Sequence, residues 1–240
     1  MNKNYIYSKQ KSLFGHSDII GFGEDSFFIK EIERNIANNI IIKNHYSHKF
    51  YNATYIHLGI FINNELLGVL QFGYAMNPAS QEKVVANTKI NEYLELNRMW
   101  LDDKAVRNSE SKAISYAIKF IKKKFPKIKW IQSFADERCG CFGIVYQASD
   151  FKYYGEHTSL FWYLDDEVYH NILMTAKRGK QGSAGIYLQE NKHRAESKKL
   201  RQFRYIYYID RRCIKDCLLQ EKPFEKHYNQ VVWYAWHWFY

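Results

Sequence analysis

Hydrophobic and polar positions along the chain follow two periods, one typical of helices and the other of strands. Between Phe27 and Phe50 the apolar residues recur at helical spacing, which predicts a helix that ends in the polar cluster Asn44–His48. Apolar residues then occupy alternate positions from Ile56 to Ile62. Asn63-Asn64 predicts a turn with positive φ, and the segment from Leu66 to Phe72 resumes the extended pattern. Together these segments predict a β-hairpin.

The middle of the chain alternates strands with helices. Leu94, Leu96, Arg98 and Trp100 alternate along a predicted third strand, with an arginine interrupting an apolar row. Asn108 is a candidate cap for a helix whose apolar stripe consists of Ile114, Ala117, Ile118, Ile121 and Phe125.

Three further elements follow that helix. Trp130–Ala135 and Leu160–Leu164 are strand-like, and Gly140–Ser149 carries apolar residues on one helical side. The order α-β-β-β-α-β-α-β predicts an α/β (α+β) fold with a mixed sheet and helices on its faces. We predict one domain over residues 1–175 and a basic, aromatic-rich C-terminal extension over residues 176–240, packed on the same domain.

Charge distinguishes that extension from the rest of the chain. Hydrophobic residues make up 46% of the sequence, as expected for a packed core, and the net charge is +10. Eleven Lys and Arg residues stand against three acidic residues between Lys177 and Arg212. Aromatic residues from Phe203 to Tyr208 are interleaved with charge there, a combination that favours nucleic acid, although a solvated basic surface is the alternative. The candidate DNA-binding residues are Lys177, Arg178, Lys198, Lys199, Arg201 and Arg204.

The cellular setting predicted from the sequence is the cytoplasm. The N-terminal residues are polar, without the apolar region of a signal peptide, and no run is long enough to span a membrane. The four cysteines are too few for a disulfide scaffold. Cys139, Cys141, Cys213 and Cys217 have a spacing that zinc rarely uses.

Three motifs carry a resemblance to a known family. They are Gly68–Pro78, then Leu94–Trp100 with Arg107–Ser111, and finally Gln132–Arg138 with Val145–Gln147. The chain resembles the Mom adenine-modification family of Mu-like phages, over most of its length. The resemblance implies a fold like that of the GNAT acetyltransferases, with a mixed, mostly antiparallel sheet. It also implies conversion of adenine N6 in DNA to an N6-carbamoylmethyl derivative that protects phage DNA from host restriction, with double-stranded DNA and acetyl-CoA or a related acyl-CoA as partners.

In that fold, the coenzyme A pyrophosphate binds backbone amides at the start of the helix that follows the fourth strand. The matching positions here are Arg107, Asn108, Ser109 and Ser111, where a plain capped helix start is the alternative. Glu110 stands where the enzymes have a glycine-rich turn, and it would repel phosphate. Arg98 is a further candidate for contact with a cofactor phosphate or with DNA, and a structural ion pair is its alternative.

The resemblance also implies catalytic residues. Tyr146 is the candidate general acid, with a packed tyrosine as the alternative. Ser133, Asp136 and Tyr46 are further catalytic candidates. Because the new bond joins N6 to a methyl carbon that is not electrophilic, we expect a redox metal such as iron, with His45, Tyr46 and Asp136 as ligands. The alternative for His45 is a solvated helix end.

Two other functions remain open at this stage. One is an ordinary acetyl-CoA-dependent N-acetyltransferase of a protein or small amine, which the element order also favours. The other is a nucleic-acid-binding protein without catalysis, which the charge pattern favours. The sequence leaves open whether one chain or a homodimer holds the DNA.

Overall fold

The computed structural model describes residues 5–8, 19–140, 142–175 and 182–224. They divide into two compact units: unit 1 contains residues up to 134, 143–154 and 205–224, and unit 2 contains residues 135–142 and 155–204 among those described. The chain passes between the units within three of its strands. These boundaries differ from the division at residue 175, which stays a prediction about domains.

Ten strands and five helices alternate along the described residues. The strands are β1 (Tyr5–Ser8), β2 (Ile19–Glu24), β3 (Phe27–Glu31), β4 (Thr54–Ile62), β5 (Glu65–Gly73), β6 (Tyr93–Leu101), β7 (Trp130–Asp136), β8 (Lys152–Leu164), β9 (Glu167–His170) and β10 (Glu196–Tyr208). The helices are α1 (Arg34–Asn44), α2 (Ser109–Lys124), α3 (Ile144–Gln147), α4 (Ile172–Thr175) and α5 (Ser183–Glu190).

In unit 1, each strand from β1 to β6 pairs antiparallel with the next one along the chain. The predicted hairpin is confirmed, because Asn63 and Asn64 both have positive φ between β4 and β5. β6 and β7 pair in parallel, with Tyr93 opposite Trp130, and α2 forms the crossover that a parallel pair requires. The predicted fold class, a mixed and mostly antiparallel sheet flanked by helices, is confirmed.

The core of unit 1 contains two helix faces and an aromatic pair. Ala37 and Ile41 of α1 pack with Val69 of β5. The predicted stripe of α2 is confirmed for Ile114, Ala117, Ile118 and Ile121, which are all buried, whereas Phe125 is half-buried and follows the last helical residue. The rings of Tyr93 and Trp130 stack 4.6 Å apart and are almost fully buried, which joins the start of β6 to the start of β7.

Two predicted helices were wrong in extent. The segment from Phe27 begins with strand β3, and α1 starts only at Arg34. Phe27, Phe28 and Ile29 are all buried, and such an apolar run fits a buried strand as well as a helix. The second helix covers only residues 144–147, because Gly140 and Gly143 both adopt left-handed backbone conformations before it.

Unit 2 contains most of β8 and β10, together with β9, α4 and α5. β8 and β9 pair antiparallel, with Phe161 opposite His170. The extended character predicted for the segment after Gln202 is confirmed and extends back to Glu196. Leu164, Tyr169 and Leu188 form the buried cluster of this unit.

Gly143 offers a test of the packing at α3. Its φ is +79°, and a Cβ atom there would overlap the ring of Tyr205. We therefore expect Gly143→Ala to lower the free energy of unfolding by about 2 kcal/mol or more, measured by urea denaturation. Gly182→Ala is the matched control, because Gly182 has an ordinary φ of −72° and no atom within 4 Å of the added methyl group. An equal loss for both variants would contradict this account.

Candidate functional site

A pocket of about 350 Å³ lies at the start of α2 in unit 1. Its wall includes four of the five residues predicted to bind the cofactor, namely Arg107, Asn108, Ser109 and Ser111. Phe27 and Ala148 supply apolar surface to the same pocket. The structure thus brings these four residues together around one cavity, and Arg98 is not part of its lining.

The backbone at this helix start suits an anion. Asn108 occupies the N-cap position in a left-handed conformation with φ of +69°, and its side chain makes no capping hydrogen bond. The predicted side-chain cap is therefore wrong. Because a helix start exposes backbone N–H groups and a positive dipole end, an uncapped start favours a negatively charged ligand.

Ser109 contributes an unusual hydroxyl group to this pocket. Its side chain is 2% exposed, and the buried Oγ atom has no hydrogen-bond partner. By contrast, the hydroxyl of Ser111 donates to the backbone carbonyl of Asn108, 3.0 Å away. Buried polar atoms without partners are rare in native proteins, so Ser109 Oγ marks a place where a ligand oxygen would supply the missing bond.

Charges around the pocket are mixed. Arg107 is exposed, while the ammonium group of Lys112 lies 3.5 Å from the carboxylate of Glu24 and 4.7 Å from the ring centre of Phe27. Glu110 is an exposed first-turn residue of α2 and opposes an anion. The groups that could hold an anion here are the helix start, the hydroxyl of Ser109 and Arg107, which no described carboxylate engages.

Tyr146, the candidate general acid, lies on α3, which borders the same pocket through Ala148. The ring of Tyr146 is 5.3 Å from that of Tyr205 and 5.7 Å from that of Phe151. These contacts fix the plane of the ring by packing. Tyr146 is thus held beside the predicted cofactor pocket, and its role as an acid stays a prediction.

A second group of polar side chains lies on β6. One carboxylate oxygen of Glu95 accepts a hydrogen bond from the amide of Asn97 at 3.0 Å, and the other accepts from Gln132 at 2.8 Å. Gln132 stands directly opposite Glu95 in the parallel β6–β7 register. We call Glu95, Asn97 and Gln132 the Glu95 cluster. None of these three residues is among the predicted site residues.

A β-bulge at Asn97 explains how this cluster forms. Gln71 pairs with Arg98, and Phe72 pairs with Leu96, so Asn97 has no partner in β5. A bulge breaks the strict alternation of faces, and bulges often redirect side chains beside functional sites. In the sequence, this site is marked by three polar residues, Glu95, Asn97 and Arg98, within an otherwise apolar strand. Alternation alone could not place these side chains.

Two other predicted site residues serve the structure around β6. Ser133 is fully buried, and its hydroxyl donates to the carbonyl of Leu96 across the β6–β7 pair. This geometry does not support a catalytic contact with substrate. Arg98 is not among the residues that line the α2 pocket, and its guanidinium group donates to the carbonyls of Lys49 and Asn97. The predicted phosphate contact by Arg98 finds no support in this arrangement.

His45 and Tyr46 follow the end of α1 in unit 1. His45 is 7% exposed, and its Nδ1 atom lies 2.8 Å from the hydroxyl of Ser47, whereas Tyr46 is 46% exposed. Their ring centres are 4.3 Å apart. His45 is therefore a buried histidine within a turn, which differs from the solvated helix end considered as its alternative.

Asp136 ends β7 and belongs to unit 2. Its two carboxylate oxygens accept hydrogen bonds from Arg138: Oδ1 from the backbone amide at 3.0 Å and Oδ2 from Nε at 2.9 Å. Arg138 also lies 4.3 Å from the ring centre of Phe161. Burial, followed by the positive charge of Arg138, lowers the pKa of the neighbouring His170. Asp136 is thus the anionic half of a buried ion pair.

The structure gives no support to iron at the predicted ligands His45, Tyr46 and Asp136. Within residues 5–8, 19–140, 142–175 and 182–224, no group of three or more His, Cys, Asp or Glu side chains is placed to hold a metal ion. Asp136 would first have to give up its bonds to Arg138, and Nδ1 of His45 is engaged by Ser47. The metal site therefore stays a prediction without structural support.

The basic strand β10 divides the candidate DNA-binding residues into two groups. Lys198 and Lys199 are exposed, and the ammonium group of Lys198 lies 5.0 Å from the ring centre of Tyr163. Arg201 instead binds Glu137 through Nε and Nη2, at 3.0 and 2.8 Å. Arg201 is therefore an ion-pair partner within unit 2, which weakens its prediction as a phosphate contact.

The remaining DNA-binding candidates are Arg204, Lys177 and Arg178. Arg204 is half-buried and lies within electrostatic reach of His157, whose pKa is lowered first by burial and then by that positive charge. Lys177 and Arg178 fall outside the described residues, so the structure does not address them.

The structure is that of an α+β protein with a pocket at the start of its crossover helix. Residues 26–226 match the model of the Mom protein family. A relative from Escherichia phage Mu, named methylcarbamoylase mom, is 46% identical over 228 residues, which cover 93% of this chain and 94% of the relative. The chain belongs to the Mom protein family.

Solved acetyltransferase structures show a weaker likeness. The structure of Arabidopsis thaliana NAA60 in complex with acetyl-CoA has a TM-score of 0.48 and 7% identity, covering 77% of this chain and all of the other (100%). The ribosomal-protein-S5-alanine acetyltransferase from Vibrio fischeri has a TM-score of 0.47 and 11% identity, covering 80% of this chain and 98% of the other.

The ion pair of Arg201 with Glu137 predicts a pH-dependent contribution to stability. Hydrogen bonding from Arg201 holds the pKa of Glu137 below its usual value of 4.5. A lowered carboxyl pKa stabilises the fold above pH 4.5, and this contribution disappears as the pH falls through the lowered pKa. We expect Arg201→Ala to cost about 1–2 kcal/mol at pH 7, after allowance for solvent screening.

Urea denaturation from pH 7 to pH 3 measures this effect. The difference between wild type and Arg201→Ala should shrink below pH 4.5, when Glu137 becomes protonated in the unfolded chain and then in the folded one. Lys199→Ala on the same strand is the control, because Lys199 is exposed, and its effect should stay within about 0.5 kcal/mol. A constant difference across this pH range would contradict the role given to Glu137.

Proposed function

We propose that this protein is an enzyme that transfers a carbamoylmethyl group to N6 of adenine in DNA. The observation that carries the proposal is the 46% identity to the phage Mu methylcarbamoylase over 93% of the chain. Relatives that are this similar over their whole length share a fold, and the α2 pocket and the basic β10 strand supply two of the surfaces that such a reaction needs. Conversion of adenine is the substrate assignment that the family resemblance implies.

An acyl-CoA is the proposed donor of the two-carbon unit. The uncapped start of α2 and the buried hydroxyl of Ser109 are suited to its phosphates, and the apolar surface of Phe27 and Ala148 is suited to its neutral parts. When bound, the thioester would bring the two-carbon unit to the protein. The thiolate departs when an amide nitrogen replaces sulfur on the carbonyl carbon, and Tyr146 on the neighbouring helix is the proposed source of the proton that it takes up.

The bond to a methyl carbon demands more than proton transfer. The carbonyl carbon of a thioester is electrophilic, whereas its methyl carbon is not. Joining the methyl carbon to N6 removes one hydrogen from each atom and therefore requires a two-electron oxidant, which a redox metal would help to deliver. Among the described residues, no group of three or more His, Cys, Asp or Glu side chains is placed to hold a metal ion. The proposal therefore covers the target atom and the donor pocket, and it assigns no step of this bond formation to these residues.

DNA is the proposed substrate because exposed cations and aromatic rings occur together on unit 2. Lys198 and Lys199 neutralise phosphates in this proposal, and Lys177 and Arg178 belong to the same basic stretch of sequence. None of the helices in the described ranges is long and apolar enough to cross a membrane. We infer that the protein acts on phage DNA in the host cytoplasm.

Protection from restriction is the proposed consequence. Adenine presents its N6 amino group in the major groove, where restriction enzymes read hydrogen-bond donors. A carbamoylmethyl group on N6 replaces one donor hydrogen and adds bulk at that edge. Enzymes that contact this amine would then fail to cleave.

The test is the nucleoside content of plasmid DNA from cells that express the protein. Mass spectrometry of the digested DNA should show deoxyadenosine carrying the mass of a carbamoylmethyl group, together with resistance to restriction enzymes that have adenine in their sites. Unmodified deoxyadenosine in the presence of folded protein would refute the proposal. An acetylated protein or small amine in the same cells would instead favour an ordinary N-acetyltransferase.

Ser109 allows a separate test of the donor pocket. Ser109→Ala should raise the Kd for coenzyme A roughly fivefold to tenfold, measured by calorimetry, because one hydrogen bond to the ligand is lost. The free energy of unfolding should change by less than about 0.5 kcal/mol or rise, since the buried hydroxyl has no partner in the protein. Ser183→Ala at the exposed start of α5 is the control. An unchanged Kd would remove Ser109 from the site.

A further inference from the structure

The Glu95 cluster is a group of hydrogen-bonded side chains that takes no part in the proposed binding of acyl-CoA at the α2 pocket. None of its three members is among the residues that line the α2 pocket. A carboxylate accepts several hydrogen bonds, and here two amides fix its orientation from both sides, through Asn97 at 3.0 Å and Gln132 at 2.8 Å. Such preorganisation is typical of a group that receives a ligand donor.

Asn97 adds a second acceptor to the cluster. Its amide nitrogen donates to Glu95 and also to the carbonyl of Tyr74 at 3.1 Å, so both of its donors are used. Its buried Oδ1 atom has no hydrogen-bond partner. The bulge at Asn97 therefore places an unsatisfied acceptor beside an oriented carboxylate, and a ligand that brings N–H donors would satisfy it.

Aromatic residues lie near the Glu95 cluster, since the backbone carbonyl of Tyr74 accepts a hydrogen bond from Asn97. Tyr55 and Tyr74 have ring centres 5.2 Å apart, and Tyr55 is 44% exposed. The pKa of Tyr51 is raised by burial and then by the negative charge of Glu95, so this phenol lies within electrostatic reach of the carboxylate. Phe50 and Met76, on the neighbouring loops, are also exposed. Exposed rings of this kind stack with bases that have left a helix.

We propose that the Glu95 cluster binds the exocyclic amine of an extruded adenine, with Glu95 and Asn97 as acceptors and Tyr55 and Tyr74 as the stacking surface. This inference rests on the proposed function for the identity of the base, and it names specificity-determining residues for that reaction. An adenine within a duplex does not offer its N6 atom to an enclosed site, so the base must be extruded.

Two hydrogen-bond acceptors side by side distinguish bases that present an amine from bases that present a carbonyl oxygen. Adenine offers N–H donors at the position where hypoxanthine, guanine and thymine have a carbonyl oxygen. A carbonyl oxygen would face the carboxylate of Glu95 and the Oδ1 atom of Asn97, which is repulsive. The cluster therefore favours an amine over a carbonyl, and this kind of discrimination is strong because the rejected base leaves buried acceptors unpaired.

The test compares two short oligothymidylates that differ at one central base, adenine in one and hypoxanthine in the other. Binding to the full-length protein is measured by fluorescence anisotropy. Wild type should prefer the adenine oligonucleotide by roughly tenfold, the amount expected for one specific base contact. In Glu95→Gln, which keeps the size of the side chain, the preference should fall to within about twofold or invert, because an amide can donate to a carbonyl oxygen.

Glu65→Gln is the matched control, since Glu65 is exposed at the start of β5 and undergoes the same chemical change. Its preference for adenine should equal that of wild type. Retention of the full preference in Glu95→Gln would overturn the proposal. Equal affinity of wild type for the two oligonucleotides would also overturn it, so the test does not depend on the folding of the variant.

The nucleoside assay separates this inference from the proposed function. If plasmid adenine is unmodified but the preference exists and depends on Glu95, the proposed function fails and the cluster is an adenine-binding site. If wild type and Glu95→Gln modify plasmid DNA equally, the inference fails and the proposed function stands. A third oligothymidylate, with cytosine at the central position, tests whether any amino base is accepted. If wild type binds it as tightly as the adenine oligonucleotide, the site recognises an amine without distinguishing adenine from cytosine, and the assignment to adenine is overturned.

Discussion

The parallel pairing of β6 with β7 is the constraint on which the candidate sites of unit 1 depend. Parallel neighbours cannot be joined by a tight turn, so the chain must leave the end of β6 and return along a crossover helix. That requirement puts the start of α2 just after β6, where the pocket forms. The same pairing places Gln132 opposite Glu95, and the stacked rings of Tyr93 and Trp130 hold the two strand starts together.

Sequence patterns predicted the α2 helix and the β4–β5 hairpin. The α2 helix buries one face and exposes the other, whereas both faces of the hairpin strands are largely buried and the hairpin was identified with the help of its Asn63-Asn64 turn. Periodicity failed for a short apolar strand next to a helix and for a very short helix. Phe27–Glu31 looked like helix because an apolar run of this length suits either structure, and α3 is shorter than predicted because two glycines precede it.

The candidate site was predicted in part for a related reason. Motif positions located the residues around the α2 pocket, because the backbone that they share is a helix start and follows from local sequence. Partner choice among charged side chains was not predictable. Asp136 binds Arg138 because of a local turn geometry that periodicity does not encode. Arg201 binds Glu137, which is distant in the sequence, so periodicity does not predict this pair either.

The bulge at Asn97 also has a consequence for how this chain tolerates change in length. One extra residue in β6 lets Leu96 and Arg98 pair with the consecutive residues Phe72 and Gln71 of β5. Deleting Asn97 would therefore close the bulge and leave the pairs on both sides of it in register, with each side chain on its present face. The strand would then be regular, and the buried acceptor beside Glu95 would be gone. Core packing and the Glu95 cluster thus depend on different features of β6: the packing depends on the pairing register, and the cluster depends on the extra residue.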